Sequence, residues 1–251
     1  MGKLIAVAGK GGAGKTTVAA LVVRYLLEQR LTPVLAVDAD PNYTLGDALG
    51  IRVENTIGML REGFVGERAA LPAGMSKDAY LERQLEAAIH ESRGVDLLVM
   101  GRQEGPGCYC ALNNILRRFL DRLATAYRFA VVDNEAGMEH LSRRNTRKID
   151  LLLVVSDHTT KGARAASRIV ELIEELRLEV TDKYLVLNRS PAQITAEVKA
   201  EIARSGLSLL ASLPEDPEVS GADAQGKSLL ALSDSALSVS ALHPALERLL
   251  S

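Results

Sequence analysis

The segment Gly9-Lys10-Gly11-Gly12-Ala13-Gly14-Lys15-Thr16 restricts the possible folds of this chain more than any other. It has the form G-x-x-x-x-G-K-[ST]. The apolar run Leu4–Ala8 precedes it, and a helical pattern starts at Thr17. A strand, a tight glycine turn and a helix are the context in which such a loop binds phosphate. Glycines let backbone N–H groups turn inward around phosphate oxygens, and the helix N-terminus adds partial positive charge. Lys15 is expected to reach the β- and γ-phosphates of ATP, and Thr16 to ligand Mg²⁺. Gly11, Gly12, Ala13, Gly14 and Thr17 complete the expected cradle. The implied activity is ATP hydrolysis.

A strand–loop–helix unit of this kind needs a parallel sheet around it. Short apolar runs alternate with amphipathic stretches throughout the 251 residues. The expected strands are Leu4–Ala8, Val34–Val37, Leu97–Met100, Phe129–Val132, Leu151–Val155, Tyr184–Leu187 and Leu209–Leu213. The expected helices are Lys15–Gln29, Lys77–Glu91, Ala111–Ala126, Lys161–Leu176, Ala196–Arg204 and Leu237–Leu250. In Lys161–Leu176 the residues Ile169, Leu172, Ile173 and Leu176 recur at helical spacing. Aromatic residues are only 4% and Trp is absent, so the core must be aliphatic, as in buried parallel strands. The pattern predicts an α/β fold: one P-loop NTPase domain over 1–251, with a mostly parallel sheet of about seven to eight strands and helices on both faces. Residues 54–94 form an irregular or helical excursion and a candidate partner-binding region. Glu54–Met75, with Gly58, Gly63, Gly66, Pro72 and Gly74, is its least regular part.

A net charge of −2 gives no pull toward nucleic acid or an anionic membrane. No apolar run approaches the ~18 residues that span a bilayer, and Leu4–Ala8 is too short for a signal-peptide core. A cytoplasmic protein without nucleic-acid or membrane partners is the expectation.

Carboxylates follow at the ends of two expected strands. Asp38 and Asp40 lie in Val37-Asp38-Ala39-Asp40-Pro41-Asn42. Side chains two apart in extended backbone point the same way, and Pro41 biases Asp40 toward extended backbone. Both acids therefore face the C-terminal end of the sheet, where open α/β sheets bind ligands. There they can hold Mg²⁺ or orient an attacking water; equally, either could serve a turn or a helix cap. Asp38 is assigned to the Mg²⁺ shell. Asp133 ends the apolar strand from Phe129 in the Walker B manner and should meet Mg²⁺ through water. Gly137 fits a hinge near the γ-phosphate. His140 is read as structural.

Cys108 and Cys110 lie in Gly105-Pro106-Gly107-Cys108-Tyr109-Cys110, ahead of an expected helix. A helix N-terminus favours thiolates. Two thiolates one residue apart supply half of a tetrahedral or square-planar metal shell. The same pair from a second subunit would complete it across a two-fold axis. Two buried, inert cysteines are the simpler alternative.

Together these residues resemble a known family. Lys10–Thr16, Asp38-Ala39-Asp40-Pro41, Cys108-Tyr109-Cys110 and Asp133-Asn134-Glu135-Ala136-Gly137-Met138-Glu139-His140 are similar to the CooC-type nickel-insertion ATPases. These mature carbon monoxide dehydrogenase and acetyl-CoA synthase. They belong to a larger "deviant Walker A" group with MinD, partition ATPases and nitrogenase iron protein. Lys10, directly after the first loop glycine, marks that group. The resemblance implies that Lys10 reaches the partner's nucleotide in an ATP-promoted homodimer, so Lys10 joins Lys15 as catalytic. It implies that Asp40, which the carboxylate pattern also places among the Mg²⁺ ligands, belongs to switch I and is needed for hydrolysis. It implies that Asn188 recognises the base and that the loop at Pro214 and Glu215 covers it. It implies Ni²⁺, or Zn²⁺ in a purified sample, at Cys108 and Cys110, and a nickel-dependent client enzyme. Two other readings stand beside it: a MinD- or partition-type positioning ATPase, and an iron–sulfur electron donor. The weakly charged last helix argues against the first, and a single close pair of cysteines against the second.

Overall fold

The computed structural model describes residues 2–40, 42–66, 74–101, 119, 123, 125–134 and 148–250. Period-two burial organises its sheet. In β1 (Lys3–Gly9), Ile5 and Val7 enter one apolar core, while Ala6 and Ala8 enter the opposite one. β2 (Val34–Asp38) divides in the same way, with Val34 and Ala36 on the first face and Leu35 and Val37 on the second. Side chains alternate across a strand; with both faces covered, each strand becomes a continuous apolar run.

The other strands are β3 (Ile89–Glu91), β4 (Val95–Val99), β5 (Phe129–Asp133), β6 (Lys148–Ser156), β7 (Glu179–Leu187) and β8 (Ser208–Ser212). They form one eight-stranded sheet in the order β3-β4-β2-β5-β1-β6-β7-β8. All neighbours are parallel except β3, which runs antiparallel to β4. This is the expected α/β domain. β1 lies between β5 and β6, so successive connections diverge on either side of it. The crevice at such a switch point is where open α/β sheets bind ligands.

One face of the sheet is covered by α1 (Lys15–Glu28), the 3₁₀ turn Leu229–Ala231 and α8 (Leu237–Leu250). Every residue of α1 from Val18 to Leu26 is buried, as expected of a helix apolar on nearly all sides. The exception is Arg24. It donates to Glu28, to the Leu232 carbonyl at 2.7 Å and to Asp234 at 2.6 Å. Breaking a buried ion group of this kind leaves an uncompensated charge, so Arg24 fixes α1 against the approach to α8. The second face carries α3 (Ile57–Gly66) and α4 (Lys77–Ala87) over β2 and β4, and α5 (Thr160–Glu175) and α6 (Ala196–Arg204) over β6 and β7.

Three expectations need correction. The helix expected over Lys77–Glu91 stops at Ala87, and Ile89–Glu91 pairs with β4 as an edge strand. Cross-strand pairing of Ile89 with Leu98 overrides the helical pattern. Part of the irregular stretch Glu54–Met75 is the helix α3; Ile57 is buried there against Leu81 and Leu85, and this burial outweighs the weak helix propensity of Gly58 and Gly63. Two short helices, α2 (Leu45–Leu49) and α7 (Pro217–Ala224), were not expected. Most of the expected helix Ala111–Ala126 lies outside the described residues, as do Pro41, Cys108, Cys110, Gly137 and His140.

One carboxylate organises two of these helices. Asp216, buried at the start of α7, accepts from Glu218 N–H at 2.9 Å and from Ser238 N–H at 2.7 Å, in the first turn of α8. Burial pushes its carboxyl up, but the hydrogen bonds from Ser238 and Glu218 outweigh this and hold it below the usual range. Asp216→Ala removes two caps and should cost about 1–3 kcal/mol in urea unfolding. A lowered folded pKa gives stability that is present above the unfolded carboxylate value of about 4 and is lost as pH falls through the folded value. The gap between wild type and Asp216→Ala should therefore be full at pH 7 and narrow below about pH 4.

Candidate functional site

The phosphate loop leaves β1 at Gly9 and enters α1 at Lys15. Gly14 sits at the N-cap with φ 93°; no side chain caps the helix, and its first turn holds no acidic residue. The unpaired N–H groups of that turn are thus left for an anion. A Cβ on Gly14 would lie 1.9 Å from Asn188 Nδ2, so both the backbone angle and the space require glycine. Ahead of it, Ala13 N–H donates to Lys10 O at 3.1 Å with Gly12 at φ 75°, the angle that the third position of a type II turn needs. Lys15 is buried, whereas Lys10 is exposed.

Thr16 Oγ1 donates to Asp133 Oδ2 at 2.6 Å, and Asp133 Oδ1 is buried without a partner. Burial pushes the Asp133 carboxyl up to about 6, opposed by the Thr16 hydrogen bond and the Lys15 charge. Asp38, its register partner on β2, is pushed up to about 7 by burial, opposed by the Leu45 N–H and assisted by the charge of Asp133. Two crowded carboxylates, one orphaned oxygen and a hydroxyl form a hard-oxygen set short of positive charge, which suits Mg²⁺. Thr16 and Asp133 are the residues that would hold it.

Both oxygens of Asp38 are engaged with backbone: Oδ1 accepts from Asp40 N–H at 3.0 Å and Oδ2 from Leu45 N–H at 2.8 Å. Asp38 thereby caps α2. Thr44, which occupies the N-cap position, makes no capping bond, and its hydroxyl lies 3.3 Å from Thr16 Oγ1. Asp40 Oδ1 accepts from Asn42 N–H and Nδ2 at 2.9 and 3.0 Å. Asp40 lines a cavity of about 430 Å³ with Gly11, Gly12, Gly14, Lys15, Thr16, Asn42 and Thr44.

A second cavity, about 620 Å³, shares Gly14, Thr16 and Thr44 with the first and extends past Thr17, Asn188, Pro214 and Glu215 to Lys227 and Leu229. The structure thus brings the residues expected at phosphate and base into adjoining spaces. Asn188 is also tied to the loop: Nδ2 donates to Ala13 O at 2.9 Å, with a second amide hydrogen left for a ligand. Lys10 lines neither cavity. Its charge acts instead on Asp157, just beyond β6. There burial raises the carboxyl, but the Thr159 hydrogen bonds and the positive charges of Lys10 and His158 hold it below the usual range. Thr44 and Asp157 escaped the sequence reading. Thr44 precedes an apolar residue, a detectable cap signal, whereas nothing local to Asp157 signals Lys10. Among the described residues no three or more His, Cys, Asp or Glu side chains gather as a metal-binding group; Cys108 and Cys110 lie outside them. No helix among them is long and apolar enough to cross a membrane.

Residues 4–230 match the CobQ/CobB/MinD/ParA nucleotide binding domain. The chain is 41% identical over 225 residues to an uncharacterized ATP-binding protein of Methanocaldococcus jannaschii, covering 89% of this chain and 88% of that protein. It is 29% identical over 240 residues to the carbon monoxide dehydrogenase accessory protein CooC of Rhodospirillum rubrum, covering 91% and 90%. Its fold is similar to that of the MinD cell division protein of Aquifex aeolicus, with a TM-score of 0.69, 19% identity and coverage of 98% and 96%.

The raised carboxylates have a consequence for stability. Without ligands, the folded chain binds more protons than the unfolded chain between about pH 4 and pH 7, because Asp38 and Asp133 ionise late. Stability of the metal-free protein should therefore fall as pH rises through 6 to 7, by up to about 1.4 kcal/mol per pH unit for each retained proton. The slope should flatten above pH 8 and shrink with saturating MgADP. Urea titrations between pH 5.5 and 8.5 measure it; a rise in stability over that range contradicts the assignment.

Proposed function

The chain belongs to the CobQ/CobB/MinD/ParA family of nucleotide-binding domains, and on that footing we propose that it is an ATP-dependent metallochaperone. It hydrolyses ATP to insert nickel into the active-site cluster of carbon monoxide dehydrogenase or acetyl-CoA synthase. The observation that carries the two-subunit part of this reading is the placement of Lys10: exposed, at the head of the phosphate loop, yet outside both cavities of its own subunit. A lysine so placed suits the nucleotide of a second copy. The cargo part is supported by Cys108 and Cys110 in the sequence and by the similarity to CooC across nine-tenths of both chains.

Phosphoryl transfer needs positioning and charge neutralisation more than covalent help. The uncapped first turn of α1 and the Lys15 ammonium take the phosphates. Mg²⁺ held at Thr16 and Asp133 would draw charge from the phosphate oxygens. Asp40, on the wall of the phosphate cavity, orients the water that attacks the γ-phosphorus as ADP leaves. The partner copy's Lys10 neutralises charge developing on the transferred group, and preorganised charge of this kind is a large term in such reactions. Asn188, Pro214 and Glu215 hold the base side. ATP closes a homodimer in the cytoplasm, the two C-x-C pairs hold Ni²⁺ (or Zn²⁺ after purification) between the copies, and hydrolysis releases the metal to the client. Nucleotide and metal affinities are then coupled and reciprocal.

Equilibrium dialysis of Ni²⁺ with and without MgATP tests this. Wild type should bind about one Ni²⁺ per two chains, more tightly with MgATP. Cys108→Ala/Cys110→Ala should lose that binding, and Lys10→Ala should lose its nucleotide dependence and fail to activate apo carbon monoxide dehydrogenase or acetyl-CoA synthase. Undiminished Ni²⁺ binding by the double cysteine variant, or ATP-dependent co-sedimentation with lipid or DNA, contradicts the metal-carrier reading.

A further inference from the structure

The loop after β7 does more than line the base cavity. Asn188 Nδ2 donates to Ala13 O, and the adjacent Arg189 Nη2 donates to Gly12 O. Two consecutive residues thus hold two consecutive carbonyls of the phosphate loop. A peptide unit is planar, so fixing a carbonyl fixes the direction of the following N–H. Asn188 sets Gly14 N–H, beside the phosphate cavity. Arg189 sets Ala13 N–H, the group that closes the Lys10–Ala13 turn on Lys10 O at 3.1 Å.

Arg189 is itself held with care. Its φ is 50°, a left-handed angle unfavourable for a residue with a side chain. Its N–H donates to Asn188 Oδ1 at 3.0 Å, and its carbonyl lies 2.9 Å from His158 Nδ1. A carbonyl only accepts, so that ring nitrogen carries the proton. His158 follows Asp157, the carboxylate influenced by Lys10. The loops after β6 and β7 therefore meet at Arg189, and its guanidinium carries their joint position to the turn that starts at Lys10. A backbone angle retained against its cost at a ligand cavity points to function.

We propose that Arg189 is a positioning residue for Lys10: by holding the Gly12 carbonyl it keeps the Lys10–Ala13 turn in the shape that presents the Lys10 ammonium to a second copy of the chain. This rests on the reading that Lys10 acts on the partner's nucleotide. Gly14 N–H, Lys15 and the first turn of α1 are held by Asn188 and by the core, and Asn188 is oriented by the backbone N–H of Arg189, not by its guanidinium. Removing the guanidinium should therefore affect what Lys10 does more than diphosphate binding.

The test is a double-mutant cycle in the full chain, reading kcat for ATP hydrolysis and, separately, MgADP affinity by calorimetry. Arg189→Ala should lower kcat about tenfold, and Arg189→Lys, which keeps one donor of similar reach, less than about threefold. Because Arg189 also lines the larger cavity, MgADP affinity is read alongside, and in both variants it should fall by less than kcat does. Lys10→Ala/Arg189→Ala should be no slower than Lys10→Ala, because a residue that acts through Lys10 has nothing left to position. Losses that multiply in the double variant, MgADP affinity that falls in step with kcat, or an Arg189→Lys variant as slow as Arg189→Ala overturns the inference. A slow Lys10→Ala beside an unaffected Arg189→Ala overturns this inference alone, whereas a Lys10→Ala variant at wild-type rate overturns both it and the reading of Lys10 beneath it.

Discussion

α1 is buried from Val18 to Leu26, yet it starts with no capping side chain. Much of the rest of the structure follows from that combination. The buried length holds the helix N-terminus at a fixed place above the sheet. The missing cap leaves its N–H groups free of protein side chains, so that a bound anion can take them in place of water. Thr16, the second residue of the helix, joins this end to the Asp133 carboxylate at the end of β5. The parallel sheet sets the height of that carboxylate, because Asp133 is in register with Val7 on β1 and with Asp38 on β2. Three strands thus deliver one hydroxyl, two acids and a helix terminus to a single crevice.

One buried acid holds the segment after β2 at two points. Asp38 accepts from both Asp40 N–H and Leu45 N–H, and burial drives the same carboxylate toward protonation. A cation or phosphate arriving nearby changes the charge balance on Asp38, Asp40 and Asp133 together.

The phosphate site was readable from the sequence because its determinants are local. Gly9–Thr16 is contiguous, and Asp38 and Asp133 end apolar runs of strand length. The edge strand β3 was not readable. Ile89–Glu91 continues a helical pattern, and only the presence of Leu98 opposite Ile89 makes it a strand. Asn188 shows a subtler limit. Its place in the larger cavity agrees with what the resemblance implied, but its bond to Ala13 O joins parts of the chain far apart in sequence. The same holds for Asp157 and Lys10, whose interaction exists only once β6 lies beside β1. Asp38 combined two tasks that the sequence left as alternatives, an acid at the ligand end of the sheet and a helix cap.

The proposed nucleotide site is built from two copies, with Lys10 given in trans. Mixing two inactive variants tests it directly. Lys10→Ala keeps its own phosphate loop but cannot reach across; Lys15→Ala cannot hold its own nucleotide but still carries Lys10. In a mixed dimer the site on the Lys10→Ala chain is complete. Equimolar mixing should raise ATP hydrolysis from near zero to roughly a quarter of the wild-type rate, since half the dimers are mixed and each has one working site. Mixtures that remain as inactive as their components, although mixed dimers form, would contradict a site shared between two copies.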